Sequence, residues 1–553
     1  MTCMLNKFPC EILHCIFDYF HPANLFYSFD QINPEIDEIL HSYQRIRLNF
    51  KLTRKSEFLF LCENVLAEQI QFLFLSNQFE TPNQIQSFLA LIPLIKCVHL
   101  QHLTLSHLDD PKLFCLILSY LEEHSRLRFL AIKNCSFGLN QRISRQIVDV
   151  LITLSSLKYL TLFDSRGLKN LCQSLMKLTH LTIESCDTTD LSRILRFLPN
   201  LTHFNVGFSS GQLSMIDYFP SQLKSLQIKS KIWILFEDLE NLLSLVPSLQ
   251  SFLLETNGDH SLLNGQRWKT LIKEKLQNLK EFHIDISVDE NTMSGDEVLN
   301  LFQNSFWTNE KHCEIGCLIS TSSQSCVRIF SLPYFSPRHH WFPSTNLGFY
   351  EYSLSSFPFD QHYKELNVFD CSQHNSISSR FPQIETLILQ GSTPQIDALK
   401  SMVNLFSVKH LKIEPIDDLS SVAFDEIFYS APNLNKLTLK SSTSLKLNGC
   451  RLSENVIYEQ IKCLTITNIV DGNDVDEISR IFPKVERITL CGKERDEILP
   501  ILTQLQCLVS ANIQWSHPMK TSTEIIDKYL QQNQICSDGT YYFHWNQLYV
   551  WMD

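Results

Sequence analysis

A short apolar signature recurs along most of this chain, and it leaves few folds open. Its form is an apolar residue, two free positions, a second apolar residue, one free position and a third. The clearest copy is Leu127-x-x-Leu130-x-Ile132-x-x-Cys135. Ile70-x-x-Leu73-x-Leu75 and Leu100-x-x-Leu103-x-Leu105 precede it, with Ile95-x-x-Val98-x-Leu100 as a competing register for the latter. Leu157-x-x-Leu160-x-Leu162, Leu178-x-x-Leu181-x-Ile183-x-x-Cys186, Leu201-x-x-Phe204-x-Val206, Leu223-x-x-Leu226-x-Ile228, Leu249-x-x-Phe252-x-Leu254 and Leu279-x-x-Phe282-x-Ile284 follow. After a break the series resumes at Tyr363-x-x-Leu366-x-Val368-x-x-Cys371. It continues through copies that start at Ile384, Val408, Leu434, Ile461 and Val485, with Leu505-x-x-Leu508 as a decayed last one. Most copies begin roughly 20–30 residues apart, a period typical of repeat architectures.

Between the signatures the spacing switches from strand to helix. Leu191, Ile194, Leu195 and Leu198 fall at i, i+3, i+4 and i+7, as do Ile85, Phe88, Leu89 and Ile92, while Val475, Ile478 and Ile481 mark another helix. Thr189 and Asp187 are both suited to cap the first of these. Prolines such as Pro199, Pro220, Pro247, Pro382, Pro432 and Pro483 stand just ahead of a signature, where they stop a helix and cost no ladder bond. Each unit is therefore a strand plus a helix too small to bury its own apolar face, and stacked neighbours supply the core.

The interruption predicts an insertion over 286–361, with two β-strands around Ile315-x-x-Leu318 and Val327-x-Ile329 and a loop that carries His339 and His340. The aromatic tail, Tyr541 to Trp551, is β-prone and predicts a terminal cap for the open sheet edge. These signals divide the chain into an N-terminal module (1–48), a linker (49–69), a first repeat block (70–285), the insertion (286–361), a second repeat block (362–510) and a cap (511–553). The cations Arg45, Arg47, Lys51, Arg54 and Lys55 read as a solvated linker face.

The N-terminal module is helical. Pro9 suits a helix start, Glu11 favours the first turn, and Ile12, Leu13, Ile16, Phe17 and Phe20 share one face before His21-Pro22 ends the run. Leu25, Phe26 and Phe29 form a second apolar set. Such a face serves either an ordinary core or a partner. Five apolar side chains at roughly 1.5–3 kcal/mol each amount to on the order of 10 kcal/mol gross, enough to hold a partner against the several kcal/mol that association costs.

The string Phe8-Pro9-Cys10-Glu11-Ile12-Leu13-His14-Cys15-Ile16-Phe17-Asp18-Tyr19-Phe20 resembles the F-box, whose usual form is Leu-Pro-x-Glu-Ile-Leu-x-x-Ile-Phe-x-x-Leu. Phe8 and Phe20 replace leucines, Asn24 stands where an acid is usual before Leu25, and Tyr43 stands in for a tryptophan near the module's end. The repeats resemble leucine-rich repeats, and together the two features resemble the F-box proteins with C-terminal leucine-rich repeats. The resemblance implies an α/β leucine-rich-repeat solenoid, a ribonuclease-inhibitor-like horseshoe, preceded by a small all-α module. It implies a non-catalytic substrate-recognition subunit of a Skp-cullin-F-box ubiquitin ligase, in which Phe8, Pro9, Glu11, Ile12, Leu13, Ile16, Phe17, Phe20 and Leu25 dock a Skp-type adaptor and through it a cullin. The alternative is a leucine-rich-repeat scaffold or inhibitor unconnected with ubiquitination, its first helices a cap.

Composition narrows the chemistry. The net charge of −12 argues against a broad nucleic-acid surface. The 18 cysteines are scattered singly, which fits a cytoplasmic or nuclear protein, and His312, Cys313 and Cys317 lack the second pair that a zinc site needs. No cofactor motif, catalytic elbow or membrane-spanning run is legible, so no enzyme, cofactor or membrane contact is expected. Binding is expected on the concave face, where strand alternation puts Tyr159, Thr161 and Phe163, then His180, His203, Gln227, His283, Asp285, His410, Lys436 and Arg487. These positions are candidate contacts for a protein target, although β-propensity alone also favours Thr there.

Overall fold

The computed structural model describes residues 8–78, 80–135, 140–289, 295–311, 313–320, 327–332, 338–341, 349–353, 364–369, 381, 383–392, 396–417, 421–440, 457–516, 524–535, 541–544 and 546–552. The protein is a mixed α/β chain that divides into two compact units. One comprises residues up to Ile232 with Asp238–Ser251; the other comprises Trp233–Glu237 with Phe252–Met552.

The first unit opens on three short helices, α1 (Cys10–Phe17), α2 (Pro22–Phe29) and α3 (Pro34–Ser42). Prolines start the latter two, and the Asn33 side chain accepts the Ile36 N–H at the head of α3. Leu13, Phe17, Leu25, Phe26, Phe29, Ile36 and Leu40 close a core between them.

The sheet then begins. Strands β1 (Ile46–Asn49), β2 (Ile70–Ser76), β3 (His102–Ser106), β4 (Phe129–Lys133), β5 (Tyr159–Leu162), β6 (His180–Asp187), β7 (His203–Ser210) and β8 (Ser225–Ile234) pair in chain order, all parallel. Helices α4 (Lys55–Asn64), α5 (Gln84–Leu91), α6 (Pro111–Leu121), α7 (Gln141–Thr153) and α8 (Leu191–Arg196) lie between strands, and α9 (Phe236–Ser244) follows β8. The second and third positions of each signature are sealed: Leu130, Ile132, Leu160, Leu162, Leu181 and Ile183 are all buried. The register at β3 is the Leu100 one, since Leu100, Leu103 and Leu105 are buried while Ile95 and Val98 are exposed. Asp187 takes the capping contact ahead of α8, accepting both the N–H and the hydroxyl of Thr189.

Two expected boundaries move. The series starts at β1, within the expected N-terminal module, because Ile46 and Leu48 alternate inward and pair with the strand at Ile70. The expected linker 49–69 holds α4, and its Lys55 is buried rather than solvated. Arg45, Arg47, Lys51 and Arg54 are exposed as expected.

The second unit carries β9 (Ser251–Gly258), α10 (Gly265–Lys275), β10 (Glu281–Val288), α11 (Gly295–Asn300), β11 (Glu314–Ser320), β12 (Val327–Leu332), β13 (Arg338–Trp341) and β14 (Phe349–Ser353). The sheet order is β9-β10-β12-β11-β14, with β12 antiparallel to β10 and β11, and β14 antiparallel to β11. The insertion thus contributes four described strands, where two were expected. His339 and His340 belong to β13, which pairs with a strand of the next series, and not to a loop.

That next series is β15 (Glu365–Phe369), β16 (Thr386–Ser392), β17 (His410–Asp417), β18 (Lys436–Leu439), β19 (Cys463–Val470), β20 (Arg487–Gly492) and β21 (Ser510–Trp515), again parallel and in chain order. Helices α12 (Ile396–Met402), α13 (Ser421–Ser430), α14 (Gly472–Ile481), α15 (Arg495–Ile498) and α16 (Ile501–Gln504) intervene, and α17 (Glu524–Gln532) follows β21. The decayed copy at Leu505 therefore leads into a full parallel strand that the expected cap had absorbed. The aromatic tail forms a hairpin, β22 (Tyr541–His544) and β23 (Gln547–Trp551), with β23 antiparallel on β21. Tyr363, Cys371, Pro382 and Trp545 lie outside the described residues.

Candidate functional site

The expected adaptor residues separate into two ridges of α1. Phe8, Ile12 and Ile16 recur every four residues, with Phe20 four further on, past the helix end. Phe8, Ile12 and Phe20 are 47, 45 and 38 % exposed, and Ile16 is half-buried. Pro9 and Glu11 are exposed beside them. Leu13 and Phe17 lie on the neighbouring ridge and are at most 1 % exposed, while Leu25 is buried from α2. Leu13, Phe17 and Leu25 are therefore corrections: as the module's own core they are closed to any partner. Phe17 meets Phe29 edge-on at 5.1 Å and Tyr43 at 5.5 Å between ring centres. Tyr43 fills the position expected for tryptophan and is buried; its hydroxyl donates to Asp18 Oδ1 at 2.6 Å. Burial, then that carboxylate, push its pKa above the ordinary tyrosine range. Arg45 donates to the other Asp18 oxygen at 3.0 Å, so Asp18 pins the end of α1 to the chain that enters β1.

Correction of the ridge also reduces the energy. Four apolar side chains already about half covered offer on the order of 4 kcal/mol on complete burial, not 10. Tyr19, 91 % exposed, and Tyr27, 66 % exposed, widen the apolar surface of the module.

On the sheet of the first unit, Tyr159, His180 and His203 come together. The parallel register sets the three side by side: Tyr159 and His180 lie 4.2 Å apart with planes tilted by 33°, and His180 and His203 stack at 4.1 Å with planes 8° apart. The Thr179 hydroxyl lies 2.9 Å from His180 Nδ1 and 3.2 Å from the Lys158 carbonyl; the Thr202 hydroxyl lies 2.9 Å from His203 Nδ1 and 3.0 Å from the Thr179 carbonyl. Each hydroxyl has one proton to give. Both of its contacts are satisfied when it donates to the carbonyl and accepts from Nδ1–H, which leaves Nε2 as the acceptor on each neutral ring. Burial lowers both imidazole pKa values, helped by the neighbouring His203 for His180 and by Lys224 for His203.

The row extends further than the expected residues. Phe72, His102 and Phe129 continue it through β2, β3 and β4, with ring centres 5.9, 5.5 and 6.1 Å apart as far as Tyr159, and the Arg47 guanidinium caps it 5.4 Å over Phe72. Their signal was legible: each is the residue just before the second apolar position of its signature. Gln227 is not in this row but two residues along, in register with Asn205.

In the second unit His410, Lys436 and Arg487 share one register row, with Cys463 between the latter two, while His283 stands on β10 in a different sheet. Arg487 donates to Cys463 Sγ at 3.7 Å, and His410 Nε2 lies 2.9 Å from the Thr438 hydroxyl. Burial, with Lys436 and Lys412 nearby, pushes the His410 pKa down to about 3. His283 approaches Ser331 of β12 at 3.5 Å, and Asp285 is only 4 % exposed because Arg328 grips it with two bonds of 2.6 Å. Asp285 is therefore a structural ion pair, not an open contact.

Among the described residues no three His, Cys, Asp or Glu side chains converge as a metal cluster. His312 lies outside the described residues, and Cys313 donates to the Phe282 carbonyl. Burial pushes the Cys62, Cys97, Cys135, Cys186 and Cys317 thiols up to about 12, which keeps them protonated. No described helix is long and apolar enough to cross a membrane. No family model matches the chain, and no curated protein matches its sequence.

Proposed function

We propose that the protein is a non-catalytic substrate-recognition subunit of a Skp-cullin-F-box ubiquitin ligase, with an F-box at its start and a leucine-rich-repeat solenoid behind it. One observation carries the reading: a three-helix module closes its own core with Leu13, Phe17 and Leu25 and still leaves Phe8, Ile12 and Phe20 part-exposed along one ridge, with Ile16 half-buried among them. Those are positions at which the F-box pattern has apolar residues. The repeat face then captures a protein target and holds it near the conjugating enzyme, so this chain contributes effective concentration rather than bond chemistry.

The test is co-purification of the full chain with a Skp-type adaptor. Ile12→Asp puts a charge on the ridge and spares the core; it should weaken association at least tenfold with an unchanged melting temperature. Unchanged association would overturn the reading.

A second reading, that the helices only cap a scaffold, has support from their packing. Tyr27 stacks on Phe60 of α4 at 4.1 Å, and the Gln69 side chain donates to the Leu40 carbonyl at 2.7 Å in a buried position. Deletion of residues 1–45 would strip those contacts under either reading, so the point variant separates the two and the deletion does not.

A further inference from the structure

The ring row of the first unit points to a ligand class. Phe72, His102, Phe129, Tyr159, His180 and His203 face one another along the row, so edges rather than faces meet solvent. Ring edges carry the positive end of the aromatic quadrupole. A flanking column runs beside them in backbone register, where Lys158 N–H bonds the Arg128 carbonyl and Lys224 N–H bonds the Thr202 carbonyl. Its Arg128, Lys158 and Lys224 side chains are exposed. Arg128 and Arg47 lie close enough to His102, and Lys224 to His203, to depress those imidazoles. Lys133 and Lys229 stand on the other side of the row, four residues along their strands from Phe129 and Ser225. Against these six cations, Glu184 is the single acid among the corresponding described positions of β2 to β8. The surface is locally basic in a chain whose net charge is −12.

We infer that this row and its flanking cations form a docking track for an extended, acidic polypeptide segment. The inference rests on the proposed function, for which it names the class of target. Six strands at about 4.8 Å spacing give a track of about 24 Å, which at about 3.3 Å per residue matches about eight extended residues. Single-stranded nucleic acid fits less well, because its bases need ring faces, and here neighbouring rings stand over those faces at 4.1–4.2 Å from Tyr159 to His203 and at 5.5–6.1 Å from Phe72 to Tyr159.

The test is fluorescence anisotropy on the full chain, without adaptor, against three labelled probes of matched length: an alternating Glu-Ser peptide, its Gln-Ser analogue and an oligouridylate. The Glu-Ser peptide should bind at least tenfold more tightly than either of the others, and the affinity should fall between about 0.05 and 0.3 M salt. The triple variant Arg128→Gln, Lys158→Gln, Lys224→Gln should lose at least tenfold. Glu184→Lys, on an exposed side chain, should gain several-fold, and this outcome does not depend on the triple variant folding. Equal binding of the Gln-Ser peptide, tighter binding of the oligouridylate, or indifference to Glu184→Lys would overturn the track. Because no adaptor is present, a track that binds in a chain that fails to associate with adaptor would sink the ligase reading alone.

Discussion

Ile12 and Phe17 lie five residues apart on one helix and do opposite work. An apolar stripe at helical period has a centre and a margin. Leu13 and Phe17 form the centre and fill the module; Phe8 and Ile12 form the margin and stay part-exposed, with Ile16 half-buried between the two. The sequence shows the stripe but not where its partner helices cut it, which is why both ridges read as one contact face. Phe17→Ala should cost about 3–5 kcal/mol in chemical denaturation, whereas Ile12→Asp should change stability by less than about 0.5 kcal/mol. His410 makes a second prediction at this scale. Its folded pKa of about 3 lies below the ordinary value near 6.5, so the unfolded chain takes up a proton more readily between them. The stability that neutral His410 contributes is present above about pH 6.5 and is lost as pH falls toward 3. The drop in urea midpoint from about pH 7 to about pH 5 should be smaller in His410→Gln, with the remaining drop due to His102, His124 and the other buried imidazoles whose pKa values are also lowered. An equal drop would show that His410 does not couple to folding.

At the scale of elements, close approach explains what composition does not. Gly207 sits where β6 bulges against β7, and a Cβ there would lie 2.1 Å from the Glu184 carbonyl oxygen. Backbone cannot yield as a side-chain tip can, so Gly207→Ala should destabilise the first unit by about 1–3 kcal/mol in thermal melts. A neutral substitution would mean that the strands part without cost. The strands and helices themselves were largely legible: the signature fixed which side chains of β3 to β8 point inward, and the 3.6-residue spacing found α5, α8 and α14. The first strand was missed because Ile46-x-Leu48 is too short to stand out from its cationic flanks. The early half of the ring row, Phe72, His102 and Phe129, was missed because its members alternate between Phe and His while keeping one register.

For the molecule as a whole, the repeated signature made two series of parallel strands readable, but not what happens where the series breaks. There β12 runs antiparallel to β10, and Arg328, its side chain 26 % exposed, reaches across to the buried carboxylate of Asp285. Nothing local in sequence links positions 43 residues apart. Asp285→Ala should cost about 1–3 kcal/mol because it removes both hydrogen bonds of a guanidinium that water only partly reaches, while replacement of both partners by apolar residues should recover part of that loss, as measured by denaturant midpoints. The most direct test of the account is adaptor association of the full chain and of its Ile12→Asp variant, with melting followed in parallel. Association of the wild type, weakened at least tenfold in a variant that melts at the same temperature, is the predicted result. A wild type that ignores the adaptor, or a variant that binds it equally well, would contradict it.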